Sequence, residues 1–302
     1  MSEPGLRLRA PAKINLALEV VRRRDDGYHE IATVMTTLSL ADRVTVRPAA
    51  ELNVSIRGDY ASGIDAADDL AGRAARALGE AAGHDANVQI EVEKRIPSPG
   101  GLGGGSSDAA AVLRGLNVMW ELDWPAERLA EVGATVGSDV PFFVYGGTAH
   151  CTGRGEVVEP LRDLREARLL VLLPPVPAIA NKTAALFGAL HEHDFSDGRR
   201  AQRLAHRVAR GAPPPTNDLI NAFEAVVERT NPELVAHYAA YSRTAAPRLH
   251  LCGAGPAVYM LVREQARSAL LRRDFEQLGA TVFEARTLSR DAALAIEDVP
   301  GA

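Results

Sequence analysis

The chain has 302 residues, 46% of them apolar and 24% charged, with a formal net charge of −5. That composition is globular, and the acidic balance excludes a broad nucleic-acid-binding surface, whose affinity comes from Lys and Arg neutralising phosphates. Two cysteines, Cys151 and Cys252, are too few for a disulfide framework and read as buried small residues in a reducing compartment.

The first 20 residues carry Glu3, Arg7, Arg9 and Lys13 and hold no apolar run of signal-peptide length. The most apolar stretch, residues 169–180, contains Pro174, Pro175 and Pro177. It is too short for a bilayer span of about 20 residues. A cytoplasmic protein without membrane or nucleic-acid partners is expected. The length suggests two domains.

In chain order, Ile14, Leu16, Leu18 and Val20 alternate with Lys13, Asn15, Ala17 and Glu19, the period of a strand with one face in the core. Asp26-Gly27 signals a turn into a second strand over residues 28–40. Further strands are expected at 44–46, 54–56 and 88–92, and an Ala-rich helix at 68–82. A glycine-dense loop, 97–105, leads into a helix expected from about Ser106, with Ala109, Val112, Leu113, Leu116 and Trp120 on one side. A helix at 127–136 runs into Gly137-Ser138-Asp139.

The pattern restarts near residue 165. Strands are expected at 169–173, 248–252, 257–262 and 281–284. Helices are expected at 183–190, 199–210, 218–241 and 264–278. The boundary falls at 160–165, giving domains 1–163 and 164–302.

The loop carries the most information. Gly100, Gly101, Gly103, Gly104 and Gly105 fill five of six positions. Without Cβ atoms the backbone takes positive φ and approaches a ligand closely. The helix that follows offers unpaired amides and the positive end of its dipole, and Ser106 and Ser107 add hydroxyls. A polyphosphate cradle is expected; a serine-capped flexible loop is the plainer alternative. No Gly-Lys dipeptide exists for a Walker loop, and Ser106 breaks the G-x-G-x-x-G dinucleotide pattern.

This segment resembles the phosphate loop of the GHMP kinases. Pro11-Ala12-Lys13-Ile14-Asn15-Leu16 and Leu251-Cys252-Gly253-Ala254-Gly255-Pro256-Ala257 resemble that family's N-terminal and C-terminal motifs. The resemblance implies an α+β, two-domain GHMP kinase fold. Its N-terminal domain would be α/β and its C-terminal domain ferredoxin-like α+β, with the active site in the cleft between them. Asp26-Gly27-Tyr28-His29-Glu30, Gly137-Ser138-Asp139-Val140-Pro141-Phe142-Phe143, Gly153-Arg154-Gly155-Glu156 and Asn217-Asp218-Leu219 are similar to the branch acting on a cytidine diphosphate-linked methylerythritol. The expected reaction is ATP-dependent phosphorylation of its 2-hydroxyl, in isoprenoid precursor synthesis, with Mg²⁺.

By that resemblance Asp139 is the catalytic base and Lys13 the cation that keeps it ionised. Pro97, Ser98, Pro99, Gly100, Gly101, Leu102, Gly103, Gly104, Gly105, Ser106 and Ser107 hold ATP, and Asp69 stands where the family often has an adenine-binding Asn. Asn15, Tyr28, His29, Phe187, Gly253, Ala254 and Gly255 bind the acceptor, with Tyr28 and Phe187 on the two faces of the base. No metal ligands are assigned, and a monomer or homodimer is expected. Competing readings are a kinase of homoserine or mevalonate type, whose acceptor has no nucleobase, and a non-catalytic nucleotide binder. His191-Glu192-His193-Asp194 has the wrong spacing for a helical zinc motif and reads as a solvated loop. Arg22-Arg23-Arg24 reads as a hairpin end, and the arginines of 199–210 as an exposed helix face.

Overall fold

The computed structural model describes residues 4–66, 69–177, 182–244 and 246–300. The first half contains β1 (Gly5–Arg23), β2 (His29–Pro48), β3 (Asn53–Gly58), α1 (Leu70–Ala82), β4 (Val88–Lys94), α2 (Gly104–Met119), α3 (Ala126–Val136), α4 (Val140–Tyr145), β5 (Thr148–Thr152) and β6 (Val157–Pro160). The second contains β7 (Arg168–Leu173), α5 (Lys182–Gly188), α6 (Arg199–Ala209), β8 (Ile220–Asn221), α7 (Phe223–Thr230), α8 (Pro232–Ser242), β9 (His250–Leu251) and β10 (Val258–Val262). It closes with α9 (Gln265–Gln277), β11 (Thr281–Arg286), α10 (Arg290–Ala293) and β12 (Ile296–Val299).

Among the described residues these strands form two sheets. The larger runs β12-β1-β2-β4-β3, with β5 also on β2, β6 on β5 and β8 on β1. The smaller is antiparallel, in the order β11-β7-β10-β9. The chain therefore returns to the first sheet twice after residue 164, through β8 and through the β12 pairing of Leu8 with Ile296.

Three apolar clusters hold the layers. The first packs α1, α2, α3 and α4 against β2 and β4, with Leu78, Ala110, Leu113, Leu116 and Phe142 almost fully buried. The second joins the sheets: Ile14 and Leu16 of β1 meet Leu169, Val171 and Tyr259, with Leu204 of α6. In the third, Leu170 and Leu172 face Phe223, Tyr241 and Phe275. Successive residues of β7 thus serve different cores, which is what its unbroken apolar run encodes. Each such Leu or Val contributes about 1.5–3 kcal/mol.

Several boundaries differ from expectation. The strands expected at 28–40 and 44–46 are one strand, β2. Helix α2 starts at Gly104, its N-cap is Gly103 at φ +74°, and Asp108 is buried, not a cap. The helical stretch expected over 218–241 is broken by β8 and again at Asn231-Pro232, where Asn231 caps α8. Elements α4, β5, β6, α10 and β12 are additional. The expected helix start at Asp68 and the tail of the apolar stretch, 178–180, lie outside the described residues.

Candidate active site

Strand β1 builds the floor of the site. Its pairing with β2 shifts register between Pro11 and Lys13 and again between Asn15 and Ala17. Such bulges re-aim side chains, and here they bracket the two polar residues. Both faces of β1 are buried, so Lys13 and Asn15, 4% and 2% exposed, are not a solvent face. The Lys13 ammonium donates to Asn15 Oδ1 at 2.8 Å, Asn15 Nδ2 donates to Thr33 Oγ1 at 2.8 Å, and Thr33 donates to Ala17 O at 2.6 Å. This chain fixes the Asn15 amide and aims the lysine.

Asp139 stands at the N-cap of α4, but its side chain makes no capping hydrogen bond. Pro141, the second residue of the helix, lacks one of the two amides that such a cap uses. The carboxylate lies 3.5 Å from Lys13 Nζ and remains partly exposed.

The glycine loop docks on β1 through Lys13 N–H, which donates to Leu102 O at 2.9 Å. Ser107 N–H is the first α2 amide with a helical acceptor, Gly103 O at 2.9 Å, so Gly104, Gly105 and Ser106 carry the orphan donors. A Cβ on Gly103, at φ +74°, would stand 2.8 Å from Phe143 and 3.2 Å from Lys13 Cγ. A Cβ on Gly253 would meet Gly101 O at 2.8 Å and Lys13 Nζ at 3.2 Å. Two glycine loops distant in sequence therefore converge on one lysine. Asn221 braces the second by donating to Leu251 O at 3.0 Å and Gly253 O at 2.8 Å.

Behind the loop, Lys94 Nζ donates to Asp42 at 2.5 Å and to Asp108 at 2.6 Å, all three side chains buried. Asp42 also accepts from Ile96 N–H at 2.8 Å, tying the loop's base to β2. Burial drives the Asp108 carboxyl well above its usual range, with Asp42 adding to the push against the pull of Lys94. Burial would lower Lys94, but Asp108 and Asp42 outweigh it and raise the ammonium.

Strand β1, the turn before α4 and the 253–255 loop open on one cavity of about 1180 Å³, which the glycine loop lines through Pro99 and Gly101, while Ser98, Gly100, Leu102, Gly103, Gly104, Gly105, Ser106 and Ser107 do not line it. Of the expected site, Lys13, Asn15, Tyr28, His29, Pro99, Gly101, Asp139, Phe187, Gly253, Ala254 and Gly255 line it. His29 stacks on Phe187, centroids 4.9 Å apart at 22°, so no base fits between those two rings. Burial and Arg23 lower the His29 imidazole below its usual value, leaving it neutral at neutral pH. Tyr28 is 53% exposed with the Arg154 guanidinium 4.7 Å over its ring. Pro97 is buried, while Ser98 and Pro99 are exposed. Asp69 does not line the cavity; it caps α1, accepting from Ala71 N–H at 2.9 Å.

Lys182 and Arg154 also line the cavity and were not among the expected site residues. Arg154 sits in the Gly153-Arg154-Gly155-Glu156 segment, whose family resemblance carries no role for the arginine. Lys182 opens a short helix, where a lysine reads as solvated. The cavity's charged lining is Lys13, Arg23, Arg154 and Lys182 against Asp139 and Glu192, a local cationic excess in an acidic chain. Such a pocket attracts polyphosphates. The 191–194 segment ends in an exposed turn where Asp194 pairs with Arg229 at 2.6 Å.

Residues 69–147 match the GHMP kinases N terminal domain. A 4-diphosphocytidyl-2-C-methyl-D-erythritol kinase of Dehalococcoides mccartyi is 38% identical over 94% of this chain and 98% of its own. The chain belongs to the 4-diphosphocytidyl-2-C-methyl-D-erythritol kinase family, within the GHMP kinases. A family member from Bacillus thuringiensis is 36% identical over 97% of this chain and 100% of its own. A crystal structure of a 4-(cytidine 5'-diphospho)-2C-methyl-D-erythritol kinase superposes with a TM-score of 0.75 at 32% identity, covering 93% of this chain and 98% of that one. The L. major mevalonate kinase, at 15% identity and a TM-score of 0.71 over 96% of this chain and 99% of its own, shares the fold. The mixed α and β GHMP kinase fold is therefore that of this chain, and the family is one of small-molecule kinases. Among the described residues no helix is long and apolar enough to cross a membrane.

Proposed function

We propose that this chain transfers the γ-phosphoryl group of ATP to the 2-hydroxyl of 4-diphosphocytidyl-2-C-methyl-D-erythritol, a step toward isoprenoid precursors, in the cytoplasm. The observation that carries it is the Lys13–Asp139 pair, 3.5 Å apart in a cavity that also contains Tyr28, His29 and Phe187. A mevalonate or homoserine acceptor has no base for those rings.

Phosphoryl transfer needs positioning and charge neutralisation more than covalent chemistry from the protein. The amides of Gly104, Gly105 and Ser106 hold the phosphate tail at the N-terminus of α2. Asp139 accepts the hydroxyl proton as the oxygen advances. Lys13, 3.5 Å from Asp139, neutralises charge on the transferred group. Asn15 orients the acceptor, and a neutral His29 offers one ring nitrogen as donor and the other as acceptor to the pyrimidine edge. Gly253, Ala254 and Gly255 admit the acceptor's diphosphate. The reading keeps domains of 1–163 and 164–302, supported by the two sheets, although β8 and β12 of the second half pair with β1 of the first.

Mg²⁺ would find one side-chain oxygen at the head of α2: Ser107 Oγ is buried with no hydrogen-bond partner among the described residues, and phosphate oxygens and waters would complete the shell. When bound, the ion supplies neutralisation of phosphate charge.

The test is ADP release with the cytidine-linked acceptor beside homoserine and mevalonate. Turnover with the first alone is expected. Turnover with either of the others, and none with the first, overturns the reading.

A further inference from the structure

We propose that Lys182 is the cation that binds the diphosphate of the cytidine-linked acceptor. The inference rests on the acceptor named above. Lys182 lines the same cavity as Lys13 and Asp139, and its Nζ donates to the Gly255 carbonyl oxygen, a neutral acceptor. No carboxylate of the described residues pairs with it. Burial accordingly pushes the ammonium down to about 8. A half-buried cation without a counter-ion is a cost to the free protein that an anionic ligand removes.

Position selects the anion. Lys182 and Lys13 both act on the Cys252 thiol, which burial nonetheless holds up at about 12, so the two amines flank the 252–255 loop. Lys13 already serves the transferred phosphate beside Gly103. Lys182 instead shares α5 with Phe187, which stacks on His29 in the base pocket. Five residues of helix span about 7.5 Å, the scale of the ribose between a base and its first phosphates. Other groups near Lys182 carry no competing charge: the Cys252 thiol and the Tyr238 phenol, bonded to Pro256 O at 2.7 Å, are both held protonated by burial.

The test is equilibrium binding of CMP, CDP, AMP and ADP to the wild-type chain and to Lys182→Met. A charge-assisted contact predicts that wild type binds CDP at least about 10-fold more tightly than CMP. In Lys182→Met that gap closes to within about two-fold, while CMP and ADP affinities stay within about two-fold of wild type. A CDP-over-CMP gap that survives the substitution overturns the assignment, as does a loss confined to ADP, which would move Lys182 to the ATP phosphates. A wild type that binds CMP no better than AMP overturns the cytidine acceptor itself, a separate failure. Should Lys182→Met not fold, Lys182→Arg decides. The wild-type gap must narrow near pH 9, as the lysine loses its proton, and persist in the arginine variant; equal pH dependence in both overturns the proposal.

Discussion

Lys13 and Asp139 meet at 3.5 Å although they stand 126 positions apart in the chain, and the lysine reaches the carboxylate while already donating to Asn15 at 2.8 Å. The bulged strand β1 delivers one partner and the turn before α4 the other. Because Asp139 does no capping, its carboxylate is available for chemistry and its removal spares the helix.

Asp139→Asn keeps the shape and removes the base. Turnover is expected to fall by about 10²–10⁴-fold. The KM for ATP and the melting temperature should stay close to wild type. Steady-state kinetics alongside a thermal melt check this; near-normal kcat would remove Asp139 from the proton transfer.

Tyr28 is half open and its ring face is shared with Arg154, so Tyr28→Ala costs little stability. The KM of the cytidine-linked acceptor is expected to rise by about 10-fold or more, from lost stacking of roughly 1–3 kcal/mol. His29→Ala removes the edge contacts and opens the stack on Phe187. Discrimination between cytidine and uridine acceptors should collapse in that variant; unaltered discrimination would sink the base-recognition role.

Gly27 and Gly101 separate two costs of adding a methyl group. Both have positive φ, +85° and +77°. A Cβ on Gly27 meets nothing within 4 Å, whereas one on Gly101 would lie 2.0 Å from Cys252 O. Gly27→Ala should cost about 1–2 kcal/mol from backbone conformation alone. Gly101→Ala should cost more than about 3 kcal/mol, since the clash forces the two glycine loops apart. Urea denaturation measures both, and equal costs would contradict the close docking of the loops.

His250 gives a pH signature of folding. Burial, with Arg248 adding, pushes its imidazole down to about 4, and neither ring nitrogen has a partner among the described residues. A group depressed in the folded state stabilises above its unfolded value. That stabilisation is lost as pH falls from about 6.5 toward 4. The upper limit is about 3 kcal/mol. Unfolding free energies of wild type and His250→Phe should diverge across that window, with wild type losing more; parallel curves would place the histidine in a wetter setting.

Much of the site is legible in the sequence because glycine density and short polar motifs report backbone needs directly. Gly103 and Gly253 are glycines since any Cβ there would strike Phe143 or Gly101. The period of two in β1 correctly separates Lys13 and Asn15 from Ile14 and Leu16, but periodicity cannot tell solvent from a buried site, and both faces are covered. The return of β12 to β1 is invisible because Ile296 to Val299 carry no alternation and are mostly exposed. Asp139 stands out in the sequence only through the family resemblance of Gly137-Ser138-Asp139, and its side chain, free of any capping hydrogen bond, faces the cavity. Lys182 escapes because a lone cation has no pattern until the fold shows what it faces, and Arg154 lies in a motif that does not say where its guanidinium points.

A crystal structure with a non-hydrolysable ATP analogue and the cytidine-linked acceptor tests the shared role of Lys13 and Asp139 most directly. The acceptor's 2-hydroxyl oxygen is expected within about 2.6–3.2 Å of an Asp139 carboxylate oxygen, facing a γ-phosphorus held by the α2 amides. A hydroxyl turned away from Asp139, or a γ-phosphate remote from Gly104, Gly105 and Ser106, would contradict it.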